Sequence, residues 1–195
     1  DKEYIDFRDK KSSYRYRLLK RSEEIVRSVR NHSANENKTI LDIGCCDEFV
    51  LKEIQRKKDF DIAVGMDINM EGIAHIKCPD IRFINADAQR ISFKDSSFDI
   101  ITASALIEHL DDIEGFFKEV NRVLKEGGLA IFTIPNPFYD RIYLFKNKVG
   151  HKNQLSDKTL GELFKGNGFK IEEMKYFLMC PYFRIPFEDG LSNFL

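Results

Sequence analysis

Short apolar runs alternate with polar, helix-spaced stretches from Thr39 onward. The runs "TILDI" (39–43), "DIAVGMD" (61–67), "IRFINAD" (81–87), "SFDIITASA" (97–105) and "LAIFTIP" (129–135) are nearly continuous, as strands buried on both faces require. Between them the period lengthens. Helices are predicted over about Asp47 to Arg56, over "MEGIAHI" (70–76), and most clearly over Asp111 to Lys125. In the last of these, Ile113, Phe116, Phe117, Val120 and Leu124 share one face and Gly127-Gly128 mark the stop. Before the first strand, Ser12 to Val29 carries a loose apolar stripe of Leu18, Leu19, Ile25, Val26 and Val29. After the fifth, Ser156 is placed to cap a helix ending near Gly166 and Gly168, and "KIEEMKYFLM" (170–179) is expected to add a strand. There is no internal repeat and no low-complexity linker.

Strands alternating with helices predict an α/β fold, a doubly wound, mostly parallel sheet covered on both faces. Such sheets bind ligands beyond the carboxyl ends of their strands, near the point where strand order reverses. The residues at those ends are therefore the candidates. Gly44 follows the first strand, Asp67 ends the second and lies 23 positions after Gly44, Asp87 and Ala88 end the third, and Ser104 to His109 follow the fourth. A carboxylate at the end of the second strand suits the two hydroxyls of a ribose, and one at the end of the third suits an adenine amino group. An Asp at a strand end is also a common helix cap; three consecutive strands ending in suitable residues is the stronger signal. The first turn reads Gly44-Cys45-Cys46-Asp47-Glu48-Phe49, so only the first glycine of a dinucleotide fingerprint is present. An acidic pair there would repel a diphosphate and favours a cationic ligand.

Composition bounds the rest. At 195 residues, 43% hydrophobic and 32% charged, the chain suits one globular domain with a sizeable core. A net charge of −1 gives no global argument for nucleic acid or a membrane surface. No apolar run approaches the roughly 20 residues of a membrane span, and "DKEYIDFRDKK" lacks the apolar core of a signal peptide. The chain opens on Asp1, so native residues are expected upstream. Cys45, Cys46, Cys78 and Cys180 show neither CxxC spacing nor a disulfide pattern, and a reducing cytoplasm is the simplest setting. The first helix is basic, with Arg15, Arg17, Lys20, Arg21, Arg27 and Arg30. It reads as a solvated face or as a lid, in which case Tyr14 and Arg17 are its candidates for reaching a cofactor.

With these motifs in place, the chain resembles the class I S-adenosylmethionine-dependent methyltransferases, in particular the type 11 group. "ILDIGCCDE" is similar to the glycine-rich first motif, "GMDIN" to the second and "NADAQRISFKDSSFDIITASALIEHLDD" to the third and fourth. "FFKEVNRVLKEGGLAIFTIPNP" resembles the family's next helix and strand, and "GHKNQLSDKTLGELFKGNGFKI" its late helix-and-strand segment. The likeness covers roughly Thr39 to Met179. It implies a Rossmann-like sheet of seven strands with an antiparallel last strand, and S-adenosyl-L-methionine as cofactor with S-adenosyl-L-homocysteine as product. It implies that Asp42 and Gly44 border the methionine part, Asp67 the ribose, and Asp87 with Ala88 the adenine, with Cys45, Cys46 and Ile68 also among the cofactor-binding residues. Ser104 would meet the methionine end through its backbone, and Leu106 and His109 would line the cleft. Cys46 and Glu48 stand where the family has glycines. Residues 1–35 would be a helical lid, 39–135 the cofactor-binding core, and 136–195 the acceptor side.

Methyl transfer from a sulfonium needs alignment and exclusion of water above all, and a base only where the acceptor holds a proton at the reacting atom. His109 and His151 are the candidates for that base; His32 reads as a surface-loop residue and His75 as surface or packing. Ala105 stands three before Glu108, so no second carboxylate supports a metal and none is expected. No Asn-Pro-Pro-Tyr run follows the fourth strand, which argues against amino-methylation of adenine or glutamine by that arrangement. Half of the Phe and Tyr residues lie beyond Pro135, in clusters around Phe138, Tyr139, Tyr143 and Phe145 and around Tyr176, Phe177, Tyr182, Phe183 and Phe187. These close the core or a dimer contact, or form an apolar pocket for a small or lipid-like acceptor with peripheral membrane contact. The rivals are a non-catalytic relative that binds the cofactor weakly, and an RNA methyltransferase using the basic helix. Nucleic acid is not the expected partner, and the oligomeric state, monomer or homodimer, stays open.

Overall fold

A computed structural model describes residues 12–32, 38–45, 49–56, 60–69, 78–135, 152–153 and 155–176. Among them, α1 (Ser12–His32), β1 (Thr39–Ile43), α2 (Phe49–Gln55), β2 (Ile62–Asp67), β3 (Ile81–Asn85), β4 (Phe98–Ser104), α3 (Ile113–Val123), β5 (Leu124–Thr133) and α4 (Asp157–Gly166) occur in that order. The strands form one parallel sheet in the order β3-β2-β1-β4-β5, the Rossmann-like arrangement expected. Order reverses between β1 and β4, which is where such sheets open a crevice.

Alternate strand residues feed two cores. Leu41, Ile43, Val64, Met66, Ile101 and Ala103 pack with Phe116, Phe117, Val120 and Val123 of α3 and Leu160 of α4. Ile40, Ala63 and Ile100 point the other way, against Ile25, Val26 and Val29 of α1 and Val50, Leu51 and Ile54 of α2. The stretch of α1 from Ile25 to Val29 is thus a layer of the core, because its apolar stripe has a sheet face to bury against. Phe117, Phe132, Phe164 and Phe169 make edge and stacked ring contacts that join α3, β5 and α4, with Phe132 and Phe164 stacked at 5.5 Å.

Three local expectations change. α3 begins at Ile113, because the Asp112 carboxylate accepts from the Gly115 N–H, and it ends at Val123. β5 starts at once with Leu124 against Phe98; Gly127-Gly128 lie within an irregularity before pairing resumes at Ile100 with Leu129. His32 is the last residue of α1 rather than part of a loop. Residues 170–176 carry no regular structure. Ile171 and Met174 are exposed, and Lys175 is drawn to Glu24, Glu173 and Ser28 instead, so this run lacks the buried face a strand needs. The "MEGIAHI" segment, and the aromatic residues 138–145 and 177–187, lie outside the described residues.

Candidate functional site

The turn after β1 is shaped by contacts that only glycine permits. Gly44 has φ +76, and a Cβ there would sit 3.2 Å from Leu106 Cδ1. The N–H groups of Gly44 and Cys45 both donate to the Met66 carbonyl, at 2.7 and 3.2 Å, bolting the turn to β2. Cys45 is buried where β2 carries Gly65; a Cβ on Gly65 would come within 2.7 Å of both Cys45 Sγ and the Phe83 ring.

At the next strand, Asp67 is 8% exposed and its Oδ1 accepts from the Asn69 N–H at 2.8 Å. Asn85, its ladder partner on β3, donates through Nδ2 to the carbonyls of Asp67 (3.0 Å) and Ile68 (2.8 Å), and Ala86 N–H donates to Asp67 O at 3.0 Å. The two strand tips are thereby fixed together, and Ile68 stands 72% exposed beside them. Asp87 Oδ1 accepts from the Gln89 N–H (2.9 Å) and from Gln89 Nε2 (3.3 Å). This is an Asx turn, so the cap-like role of Asp87 is real, but it occupies one carboxylate oxygen; Oδ2 faces no hydrogen-bond donor among the described residues.

Across the crevice, Ala105 adopts φ 51 directly after β4. Left-handed backbone costs a non-glycine residue roughly 1–2 kcal/mol, and the Ala105 N–H is held there by Thr133, through its carbonyl at 2.9 Å and its Oγ1 at 3.2 Å. That twist brings Leu106 over Gly44 and starts the short helical turn Ile107–His109. Segment 152–153 is tied onto this turn. Lys152 and Asn153 N–H groups donate to the Glu108 carbonyl at 2.8 and 3.1 Å, Asn153 Nδ2 donates to Leu110 O at 2.7 Å, and Lys152 pairs with Asp111. Glu108 has its side chain buried, at 1% exposure.

The expected residues are therefore sorted by the fold. Asp87 and Ala88, Asp67 and Ile68, Gly44 and Cys45, and Ser104 with Leu106 lie at or just past the ends of four neighbouring strands at one sheet edge, spanning about 14 Å at the usual strand spacing. His109 lies one short turn beyond Leu106. Asp42 sits deeper: at 2% exposure it accepts from Thr102 Oγ1 at 2.6 Å, tying β1 to β4 beneath the edge. Arg17 is half-buried in α1. Cys46, His151 and the Tyr14 side chain lie outside the described residues. Asn85, Gln89, Thr133 and Asn153 were not singled out by sequence. Only Gln89 carried a local sign, its place two after an Asp, where an Asx turn forms.

A model for a methyltransferase domain matches residues 14–174. A sterol 24-C-methyltransferase of Aspergillus fumigatus is 32% identical over 106 residues, which is 48% of this chain and 27% of that protein. A demethylmenaquinone methyltransferase of Chlorobaculum parvum is 36% identical over 91 residues, 43% of this chain and 38% of that one. This chain thus spans well under half the length of either relative. An S-adenosylmethionine-dependent methyltransferase from Mesorhizobium loti has a TM-score of 0.68 at 18% identity, over 87% of this chain and 90% of that chain, a likeness of fold. Strand order and edge are those of a class I, S-adenosylmethionine-dependent methyltransferase. The chain belongs to this methyltransferase domain family, whose model covers most of it.

Proposed function

We propose that the chain binds S-adenosylmethionine across the tips of β3, β2, β1 and β4 and transfers its methyl group to a small or lipid-linked acceptor. The observation that carries this reading is the pair of carboxylates, Asp67 and Asp87, on adjacent strand tips beside the Gly44 turn. Both are braced by their own loops, and Asp87 keeps one oxygen clear of donors among the described residues. Such an edge suits a ribose and an amino-purine. The bound cofactor supplies an electrophilic methyl on a cationic sulfur.

The chain's residues do the rest. Asp67 takes the ribose hydroxyls and Asp87 the base amino group, with exposed Ile68 covering an apolar face. The Gly44 turn lets backbone approach the amino-acid end. Leu106, seated over that turn, excludes water, and His109 is the candidate to accept a proton from the acceptor. The two relatives above are named for a sterol and a demethylmenaquinone, which supports an apolar acceptor here.

Isothermal titration with S-adenosylmethionine and S-adenosylhomocysteine tests the cofactor half. Binding is expected, and Asp67→Ala should weaken it about 100-fold or more through two lost charge-assisted bonds. Absence of binding by the wild type removes the reading. Transfer of a radiolabelled methyl into a membrane-lipid extract, against one into bulk tRNA, tests the acceptor half; label in tRNA alone would move the protein to the RNA-modifying class.

A further inference from the structure

The loop from Asp87 to Asp95 holds the carboxylate assigned above to the purine amino group, yet it contains no helix or strand. Ala88 and Ile91 seat it in the core and Phe93 packs beside them, while side chains of α3 fix its backbone and polar groups. Arg122 commits its guanidinium donors to the loop and to Glu119 beside it on α3. Nη2 donates to Ile91 O and Nη1 to Phe93 O, both at 2.8 Å; Nη1 also reaches Asp95 Oδ1, while Nε and Nη2 bind the two oxygens of Glu119. Glu119 Oε2 in turn accepts the Ile91 N–H at 2.9 Å. The Arg122 guanidinium holds the Glu119 carboxyl below its usual range. Gln89 closes the other end, donating to Asp87 Oδ1 and accepting the Asp112 N–H at 2.7 Å. An open surface hollow of about 490 Å³ lies along the seam between this loop and α3, with Gln89, Ile91 and Glu119 in its walls. The polar bonds add direction to a loop whose apolar residues are already packed in the core.

We propose that Arg122, with Glu119 and Gln89, is a positioning clamp that sets the Asp87 carboxylate and so makes the site selective for an amino-purine over an oxo-purine nucleoside. The inference rests on the cofactor reading above. A fork of five donors in one plane is what three loop acceptors and a carboxylate require, and a lysine ammonium carries only three. Loss of the fork loosens the loop's backbone around its buried anchors Ala88 and Ile91 while leaving the sheet and Asp67 in place. The ribose and amino-acid contacts then survive, and the discrimination at the base is what suffers.

The test is the ratio of affinities for S-adenosylhomocysteine and S-inosylhomocysteine, which differ at the purine 6-position, amino against oxo, and at N1, a bare acceptor in the first and an N–H in the second. The wild type should prefer the former by about 10-fold or more, since a carboxylate accepts from the amino group and repels the oxo oxygen. Arg122→Lys and Gln89→Ala should each shrink that ratio to below about 3-fold. Lys125→Met removes a surface ion pair to Asp99 near the start of β4 and should leave the ratio at its wild-type value. A role limited to stability weakens both ligands equally and keeps the ratio; that result in folded Arg122→Lys or Gln89→Ala overturns the clamp. Should Arg122→Lys fail to fold, Gln89→Ala decides alone. A wild type that binds both ligands alike overturns the inference but not the cofactor reading; a wild type that binds neither removes both.

Discussion

Replacing Gly44 with alanine perturbs one residue at which backbone conformation, packing and the ligand edge meet. Its φ of +76 is left-handed, and an L side chain there costs roughly 1–2 kcal/mol. The new Cβ would also stand 3.2 and 3.4 Å from the two methyl carbons of Leu106, so that side chain must retreat by a few tenths of an ångström. Crowding of that size adds less than about 1 kcal/mol, because Leu106 is only half-buried and can move. The total is about 2 kcal/mol, which for a domain of this size lowers Tm by roughly 4–8 °C. Calorimetry of the wild type, Gly44→Ala, Leu106→Ala and the double variant separates the two contributions. The double variant should lose less than the sum of the singles, since truncating Leu106 relieves the crowding and not the backbone strain. An unchanged Tm for Gly44→Ala would refute the left-handed turn, and strict additivity would refute the contact with Leu106.

Two further outcomes are expected from parts of the fold distant from the site. Gly161 lies inside α4 with open space where a Cβ would go, so Gly161→Ala should stabilise the domain by about 0.5–1 kcal/mol, the opposite sign to Gly44→Ala, as read by the same calorimetry. Asp99 is held at a pKa of about 2 against an ordinary 3.8; partial burial opposes its charge, but bonds from Lys125 and from the Thr39 N–H and hydroxyl outweigh it. A lowered carboxylate pKa gives stability that is complete above about pH 4 and is lost as pH falls toward 2. Because Lys125 is 40% exposed, the loss should be on the order of 1 kcal/mol. Urea unfolding at pH 5 and pH 2.5 measures it, and Asp99→Asn should show a correspondingly smaller drop; an equal drop would place the sensitivity elsewhere.

The central strands β1, β2 and β4 were legible from sequence because burial on both faces demands unbroken apolar runs, and that demand is local. The Ser156 cap and the Gly44 turn were legible for the same reason, since capping and φ preference act within a few residues. Where the local signal was weak, the reading missed. The segment 170–176 has strand-like composition but pairs with no strand among the described residues, and Gly127-Gly128 sit within β5, after α3 has already ended. Sequence named the carboxylates at the strand tips but not what holds them. Gln89 meets Asp112 from 23 positions away, Arg122 meets Phe93 from 29, and Asn153 meets Leu110 from 43. Those partners exist only once the sheet has ordered its strands and laid α3 beside the loop after β3. A hydrogen bond depends on position and angle, which hydrophobic patterning does not encode. The chain's own pattern determined the elements and the edge where chemistry belongs; the tertiary structure decided which polar side chains brace that edge and which are buried beneath it.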